Sequence, residues 1–357
     1  MAYTDIDKPS DYFNTVTYTG TGTSGGNTLG VTGVGFQPDL VWVKNRTAAV
    51  NHYLYDVVRG TGSAKALHTN TTDSEASAST YSVNGGVASL DSDGFTAYRG
   101  TDNTYQGTNM NGQAYASWNW KAGGTAVSNT DGDITSSVSA NTTSGFSIVS
   151  WTGNGSSTDT VGHGLGVAPK IVLYKTLNLE ANWYYWSTQF DGSNQILIFN
   201  SPSTVVSSLG STYGSITSST ISNFGWDVGD NIIAYCFAEK KGFSKFGKYT
   251  ANGSTDGPFV YTGFKPAFVI FKSYNLNSNI NWIIFDNKRN TYNELDEELR
   301  VNRTLGSRTL IAGDFTSNGF KLRSTNRPLN EAGGSYIYMA FAENPFVTST
   351  GVPATAR

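Results

Sequence analysis

Pro38-Asp-Leu-Val-Trp-Val-Lys44, Pro169-Lys-Ile-Val-Leu-Tyr-Lys175 and Pro266-Ala-Phe-Val-Ile-Phe-Lys272 follow one pattern, Pro-x-apolar-Val-apolar-apolar-Lys, at identical internal spacing. A seven-residue pattern met three times makes repeat architecture the first question. The flanks match as well. Upstream stand Tyr18-Thr-Gly-Thr-Gly22, Trp151-Thr-Gly-Asn-Gly155 and Tyr249-Thr-Ala-Asn-Gly253. Downstream come the aromatic runs Asn51-His-Tyr-Leu-Tyr-Asp56, Asn182-Trp-Tyr-Tyr-Trp186 and Asn281-Trp-Ile-Ile-Phe-Asp286, then the turns Ser92-Asp-Gly-Phe95, Ser222-Asn-Phe-Gly225 and Ser317-Asn-Gly-Phe320. Each series closes on an aromatic-rich run: Tyr115-Ala-Ser-Trp-Asn-Trp120, Ile233-Ala-Tyr-Cys-Phe237 and Ile337-Tyr-Met-Ala-Phe341.

These matches divide the chain into repeats at 11–123, 145–242 and 243–346, with an N-terminal arm (1–10), a polar linker (124–144) and a C-terminal arm (347–357). Short apolar and aromatic runs bounded by Gly, Asn, Asp, Ser and Pro read as strands. Turn signals every ~8–12 residues point to a sandwich or barrel. The expected fold is all-β: three tandem antiparallel β-sandwiches of jelly-roll or lectin type. One segment, Asn293-Glu-Leu-Asp-Glu-Glu-Leu-Arg300, has leucines four apart and an acidic first turn, and reads as a short helix. Proline without an N–H suits a strand start, so Pro38, Pro169 and Pro266 are assigned to scaffold, and the lysine closing each motif is expected to return the chain to water. The 124–144 tract is either flexible or extended against a neighbour. The short connection bearing Phe243 and Phe246 predicts that the second and third repeats move as one body.

Composition narrows the function classes. A net charge of −3 with 14% charged residues gives no basic stripe, which argues against a nucleic-acid groove. No segment approaches ~18 consecutive apolar residues, so no membrane insertion is expected. Met1-Ala-Tyr-Thr-Asp-Ile-Asp-Lys8 has neither the basic region nor the apolar core of a secretory signal. The single Cys236 forms no intrachain disulfide and reads as a buried hydrophobe.

Chemistry is sparse. His52, His68 and His163 lie in different contexts without metal-ligand spacing, and no nucleophile elbow is evident. Asp91-Ser-Asp93 and Asp131-Gly-Asp133 lack the terminal bidentate acid of a calcium loop. Asp56-x-x-Arg59 and Asp286-x-x-Arg289 recur after the aromatic run, with Ser187 and Phe190 at the corresponding places of the second repeat, and read as surface or interface ion pairs. A glycosidase would need two acids facing across a cleft; Asp286 with Glu294 or Glu297 is the pair available. No catalytic residue, metal or cofactor is assigned. What remains is binding. With 8 Trp, 20 Tyr and 19 Phe, runs such as Trp183-Tyr184-Tyr185-Trp186 place rings on both faces of a strand; either both faces are covered by neighbouring parts of the chain, or one looks outward toward a ligand or subunit. The candidate binding residues are Trp183, Tyr184, Tyr185, Trp186, Tyr53, Tyr55 and Trp282, flat amphipathic rings suited to sugar or protein contact.

The succession Gly35-Phe-Gln-Pro-Asp-Leu-Val-Trp-Val-Lys-Asn-Arg46, Asp56-Val-Val-Arg-Gly60, Trp118-Asn-Trp-Lys-Ala-Gly123, Val161-Gly-His-Gly-Leu-Gly-Val-Ala-Pro169 and Tyr338-Met-Ala-Phe-Ala-Glu-Asn-Pro-Phe346 resembles tandem-repeat proteins of tailed, largely marine, bacteriophages. The resemblance runs from about Tyr12 to Phe346. It implies a non-enzymatic virion structural protein, tail-fibre-like, made in the host cytoplasm and extracellular in the particle. It transfers no catalytic residue. The expected role is tail adsorption: the 1–10 or 347–357 arm docks to other virion proteins, and a sandwich face contacts host-surface glycan. A capsid decoration (cement) protein is the first alternative and a polysaccharide depolymerase the second. A homo-oligomer is implied, a trimer by analogy with phage fibres.

Overall fold

The computed structural model describes residues 3–76, 78–104, 107–189, 195–204, 207–208, 216–276 and 279–354. It is all-β, with antiparallel sheets throughout. In each of the stretches 11–123, 145–242 and 243–346, four strands stand in the same order: opening, closing, motif, aromatic. They are Phe13–Thr19, Ala114–Trp120, Leu40–Asn45 and Tyr53–Asp56 in the first. In the second they are Phe146–Thr152, Asn231–Phe237, Ile171–Thr176 and Tyr184–Ser187. In the third they are Ser244–Thr250, Ser335–Pro345, Phe264–Ser273 and Ile283–Asp286. The motif strand is hydrogen-bonded on both edges in all three stretches. Pro38 and Pro169 precede their strands, and Pro266 sits where the register shifts, so no ladder N–H is missed.

The motif strands are apolar on both faces because two different cores need covering. Leu40 and Trp42, Ile171 and Leu173, and Phe268 and Ile270 point into one common core. Their alternates, Val41 and Val43, Val172 and Tyr174, and Val269 and Phe271, each enter a core belonging to their own stretch. The closing strands add Trp118 and Trp120, Tyr235 and Phe237, and Met339 and Phe341 to the common core. Each fully buried side chain of this size contributes about 1.5–3 kcal/mol. The three inner sheets therefore close around a single apolar centre. A void of only about 20 Å³, lined from all three stretches by residues including Trp42, Leu173 and Ile270, is left within it.

A second layer covers each outer core. Over the first stretch lie Thr28–Thr32, Gly94–Tyr98 and Gly86–Asp91; over the second, Thr160–Gly162 and Thr220–Ser222. In the third the inner sheet continues through Leu295–Arg300, Arg308–Thr316 and Gly319–Leu322 to Phe259–Tyr261, rolling over the motif strand into a nearly closed barrel.

Several expectations need correction. Residues 295–300, read as helix, form a strand: leucines four apart share a strand face as well as a helix face. Here a register shift after Leu295 sends it to the outer core, while Leu299 enters the common one. Of the two alternatives for the 124–144 tract, the extended and packed one is found. Val127–Asn129 and Ser136–Asn141 extend the second sheet, with Val138 buried in its core. Residues 3–10 insert Ile6 into the common core and bind Lys241 through Asp5 and Thr4, so they are no free arm. The 347–354 segment folds back, and the backbone N–H of Ser349 donates to Asp7 at 2.6 Å. Helix Ala78–Asn84 was not anticipated. Phe243 and Phe246 both enter the common core, so the connection they lie on is fixed by packing.

The motif lysines are the largest departure. Lys44, Lys175 and Lys272 are fully buried. Lys44 donates to the carbonyls of Val50 (2.9 Å) and, in the third stretch, Thr304 (2.8 Å). Lys175 donates to Ala181 (3.0 Å) and, in the first stretch, Thr72 (3.1 Å). Lys272 donates to Ile280 and, in the second stretch, Pro202. Each lysine ties its own stretch to a neighbour by satisfying carbonyls that water cannot reach.

Burial pushes Lys44 and Lys272 down to about 7; Lys175 falls less, to about 8, because Asp73 and Glu180 pull it back up. An unfolded lysine titrates near ~10.4, so between these values the unfolded chain binds more protons and stability rises with pH. The cost is fully present below about pH 7. Burial raises Tyr18, Tyr174, Tyr185, Tyr235 and Tyr249 well above the usual tyrosine range, so they reverse the slope above ~10, where the unfolded chain loses protons first. The melting temperature should rise from pH 7 to about pH 10 and then fall, and Lys272→Met should flatten the rise; a melting temperature constant across this range would remove the buried ammonium groups from the energetics.

Candidate functional site

The aromatic residues expected to face a ligand are interior. Trp183, Tyr185 and Trp282 fill the common core, Trp186 the second stretch's own core, and Tyr53 and Tyr55 that of the first. Tyr184 is half-buried, its ring 5.6 Å from Phe224 and 5.7 Å from Trp226. The physical reason is that both faces of the aromatic strand are covered, one by the neighbouring stretches and the other by the second layer. These seven residues do not form a ligand surface.

Two of them, Trp183 and Trp282, instead stand at a boundary that recurs around the molecule. The indole N–H of Trp183 donates to the carbonyl of His68 (2.9 Å), and that of Trp282 to the carbonyl of Ile198 (3.0 Å). His52 occupies the same place in the first stretch. Its Nδ1 accepts from Trp42 (3.0 Å), which puts the proton on Nε2, and Nε2 donates to the carbonyl of Arg300 (3.0 Å). Burial holds the His52 pKa well below the usual range, so the ring stays neutral as this pattern requires. Beside each ring an asparagine pair clasps the chain: Asn70 to Asn51 (2.9 Å), Asn200 to Asn182 (3.1 Å) and Asn302 to Asn281 (2.9 Å). The same Asn70, Asn200 and Asn302 accept the backbone N–H of His52, Trp183 and Trp282. Lysines and rings cross in one sense, first stretch to third, second to first and third to second, while each asparagine pair fixes the ring from within its own stretch.

The Asp-x-x-Arg pairs belong to this boundary and are not on the surface. Arg59 Nε donates to Asp56 at 2.6 Å and Arg289 Nε to Asp286 at 2.7 Å, all four side chains being at most 3% exposed. Each carboxylate also accepts from another stretch: Tyr235 to Asp56 (2.7 Å) and Trp118 to Asp286 (3.0 Å). Strand register places Ser187 and Met339 at the corresponding positions of the remaining boundary. Acid and donor are lost there together, which a buried polar pair requires, since either alone would be unsatisfied. Asp286 is fully buried and Glu297 is paired with Arg46 at 2.6 Å, so these two acids do not face each other across a cleft.

The remaining candidates are structural in the same way. Asp93 accepts the backbone N–H groups of Gly33 (3.1 Å) and Gly35 (2.6 Å), and Asp91 accepts from Ser89 and Thr96. Asp133 accepts from Thr160 and Asp131 from Asn129. His68 and His163 are buried against backbone groups, and Cys236 is buried. Among the described residues no group of three or more His, Cys, Asp or Glu could hold a metal, and no helix is long and apolar enough to cross a membrane. The surface offers a cleft of about 400 Å³ between the first two stretches, lined by Arg59, Lys65, Glu75, Thr152 and Asn178. It also carries large exposed rings in the third stretch: Phe259, Tyr261 and Tyr292.

A family model described as a domain of unknown function, DUF7483, matches residues 8–345. The chain belongs to this family. No curated protein and no solved structure matches it.

Sequence reasoning missed the boundary lysines and the asparagine clasp, although Asn51, Asn182 and Asn281 stand identically before the aromatic run in all three matches. Asp286→Ala should leave Arg289 buried without its partner and cost about 3–5 kcal/mol. Trp118→Phe keeps the ion pair and removes one charge-assisted donor, about 1.5–3 kcal/mol. Urea unfolding should rank them in that order, and the reverse ranking would mean that the pair is not the element holding this boundary.

Proposed function

We propose that this protein is a non-enzymatic structural component of a bacteriophage virion, built from three tandem copies of a two-layered β-sandwich, and that it acts in tail adsorption by contacting host-surface glycan. The observation that carries this reading is the closed, cyclic set of buried boundary contacts. Buried carboxylates, rings and lysines that could have built a reactive cleft instead join one stretch to the next, as in an assembly whose task is to hold shape. The resemblance to tandem-repeat virion proteins of tailed phages points the same way.

On this reading a single chain supplies the threefold arrangement that a fibre or decoration protein otherwise reaches with three subunits. Further assembly would add valency to weak sugar contacts. The segments around Asp7 and Ser349 meet at one place and offer a docking end toward other virion proteins.

Antibody labelling of intact particles should place the protein on the tail. The purified full chain should bind host cells and leave the length of host envelope polysaccharide unchanged. Label over the capsid shell would replace the adsorption role with a decoration role, and shortened polysaccharide would replace it with depolymerisation.

A further inference from the structure

The strands of the outer layer can be compared position by position, because each pairs with its neighbour in known register. In the third stretch, Phe259 lies opposite Lys321 and Tyr261 opposite Gly319, with Val260 between them turned inward against Phe320. The next strand completes two outward rows: Phe259, Lys321, Asp314 and Tyr261, Gly319, Thr316. In the first stretch the positions of Phe259 and Tyr261 are Gly30 and Thr32, paired with Thr96 and Gly94. In the second they are Thr160 and Gly162. The inward residue is Val in all three. Scaffold is thus kept, and two aromatic side chains are added on one outer face only.

Those side chains are not core. Phe259 is 47% and Tyr261 60% exposed. Both rings rest near glycine: the Phe259 ring comes to 3.2 Å from where a Cβ on Gly319 would stand, and the Tyr261 ring to within 3.6–3.8 Å of that position on Gly263. The polar groups of the same face are charge-matched. Lys321 pairs with Asp256 at 2.6 Å and Arg323 pairs with Asp314. The Phe259–Tyr261 strand is the last in its sheet, and both rings are open to solvent.

We propose that this face is a binding site for a neutral saccharide, with Phe259 and Tyr261 stacking on the apolar C–H faces of the sugar rings and the Lys321, Asp314 and Thr316 rows meeting their hydroxyls. Exposed planar rings beside hydrogen-bonding groups match a ligand that is apolar on one side and hydroxylated at its rim. The mutual pairing of cations and carboxylates favours an uncharged sugar over a polyanion. The inference deepens the adsorption reading by naming the face and the ligand class.

The test uses the full chain and its Phe259→Ala/Tyr261→Ala double variant, titrated calorimetrically with maltohexaose and cellohexaose as neutral probes and hexagalacturonate as the acidic one. The wild type should bind a neutral hexaose, and the variant should bind it about tenfold more weakly or worse, a loss of roughly 1.4 kcal/mol. Tyr261→Thr, which installs the residue of the first stretch, should weaken binding at an unchanged melting temperature and keeps the test valid if the double variant misfolds. Equal binding by the variants, preference for the acidic probe, or no neutral binding by the wild type would each overturn the proposal. So would light scattering that showed self-association of the wild type abolished in the double variant, since the face would then join copies of the chain. None of these outcomes moves the particle label, so failure here is distinguishable from failure of the tail assignment.

Discussion

A β-sheet that is apolar on both faces cannot stand in water, and this constraint organises the molecule. Each inner sheet carries large apolar and aromatic side chains on both sides. The second layer of the same stretch covers one side. Only the other inner sheets are placed to cover the remaining side, and three of them meeting face to face leave almost no void. The three stretches are therefore bound by a core that none of them owns. Stability is expected to be cooperative across them, because removing one sheet would expose apolar faces on the other two.

Burying three sheet faces together also buries the loops that join them, and with those loops the carbonyl groups of His68, Thr72, Ile198, Pro202, Arg300 and Thr304. Each is met by a long donor from the neighbouring stretch: an indole, an imidazole or a lysine ammonium. Lysine suits this place because its stem is apolar while its tip offers three donors. Directional contacts of this kind add less net stability than the core, but leaving any of them unmade costs about 1–3 kcal/mol. They consequently select one docking geometry among the many that apolar faces alone would permit. The joint replacement of acid and donor by Ser187 and Met339 at one boundary follows the same logic.

This explains what was and was not legible in the sequence. The motif and closing strands were readable because their burial is imposed locally, by continuous apolar runs between turn residues. The three matches also placed Asp56, Ser187 and Asp286 at equivalent positions, and strand register agrees. The fate of the second face was not readable. Whether Trp183 or Tyr185 looks at water or at another sheet depends on contacts more than a hundred residues away, such as that of Trp183 with His68. Lys44, Lys175 and Lys272 were misjudged for the same reason, since a lysine at a strand end meets solvent unless a distant carbonyl arrives. The Leu295–Arg300 strand was missed because a four-residue spacing satisfies both helix and strand, and pairing decided between them.

Internal repetition provides a further discriminant that a single unrepeated sequence lacks. Positions that agree in all three stretches, such as the asparagine clasp and the inward Val31, Val161 and Val260, answer a constraint the three share, which is closure of layers and boundaries. Such agreement is weak ground for assigning chemistry, because a constraint met three times is more economically architectural. Departures divide into two kinds. Some are compensated within the fold, as where Ser187 and Met339 change together. Others have no compensating change among the described residues. Phe259 and Tyr261 are of the second kind: both rings stay about half exposed, and the corresponding Gly30, Thr32, Thr160 and Gly162 show that the sheet forms without them. On a frame that recurs three times, such an addition is the feature on which the proposed saccharide face rests, whereas the interior rings are accounted for by packing.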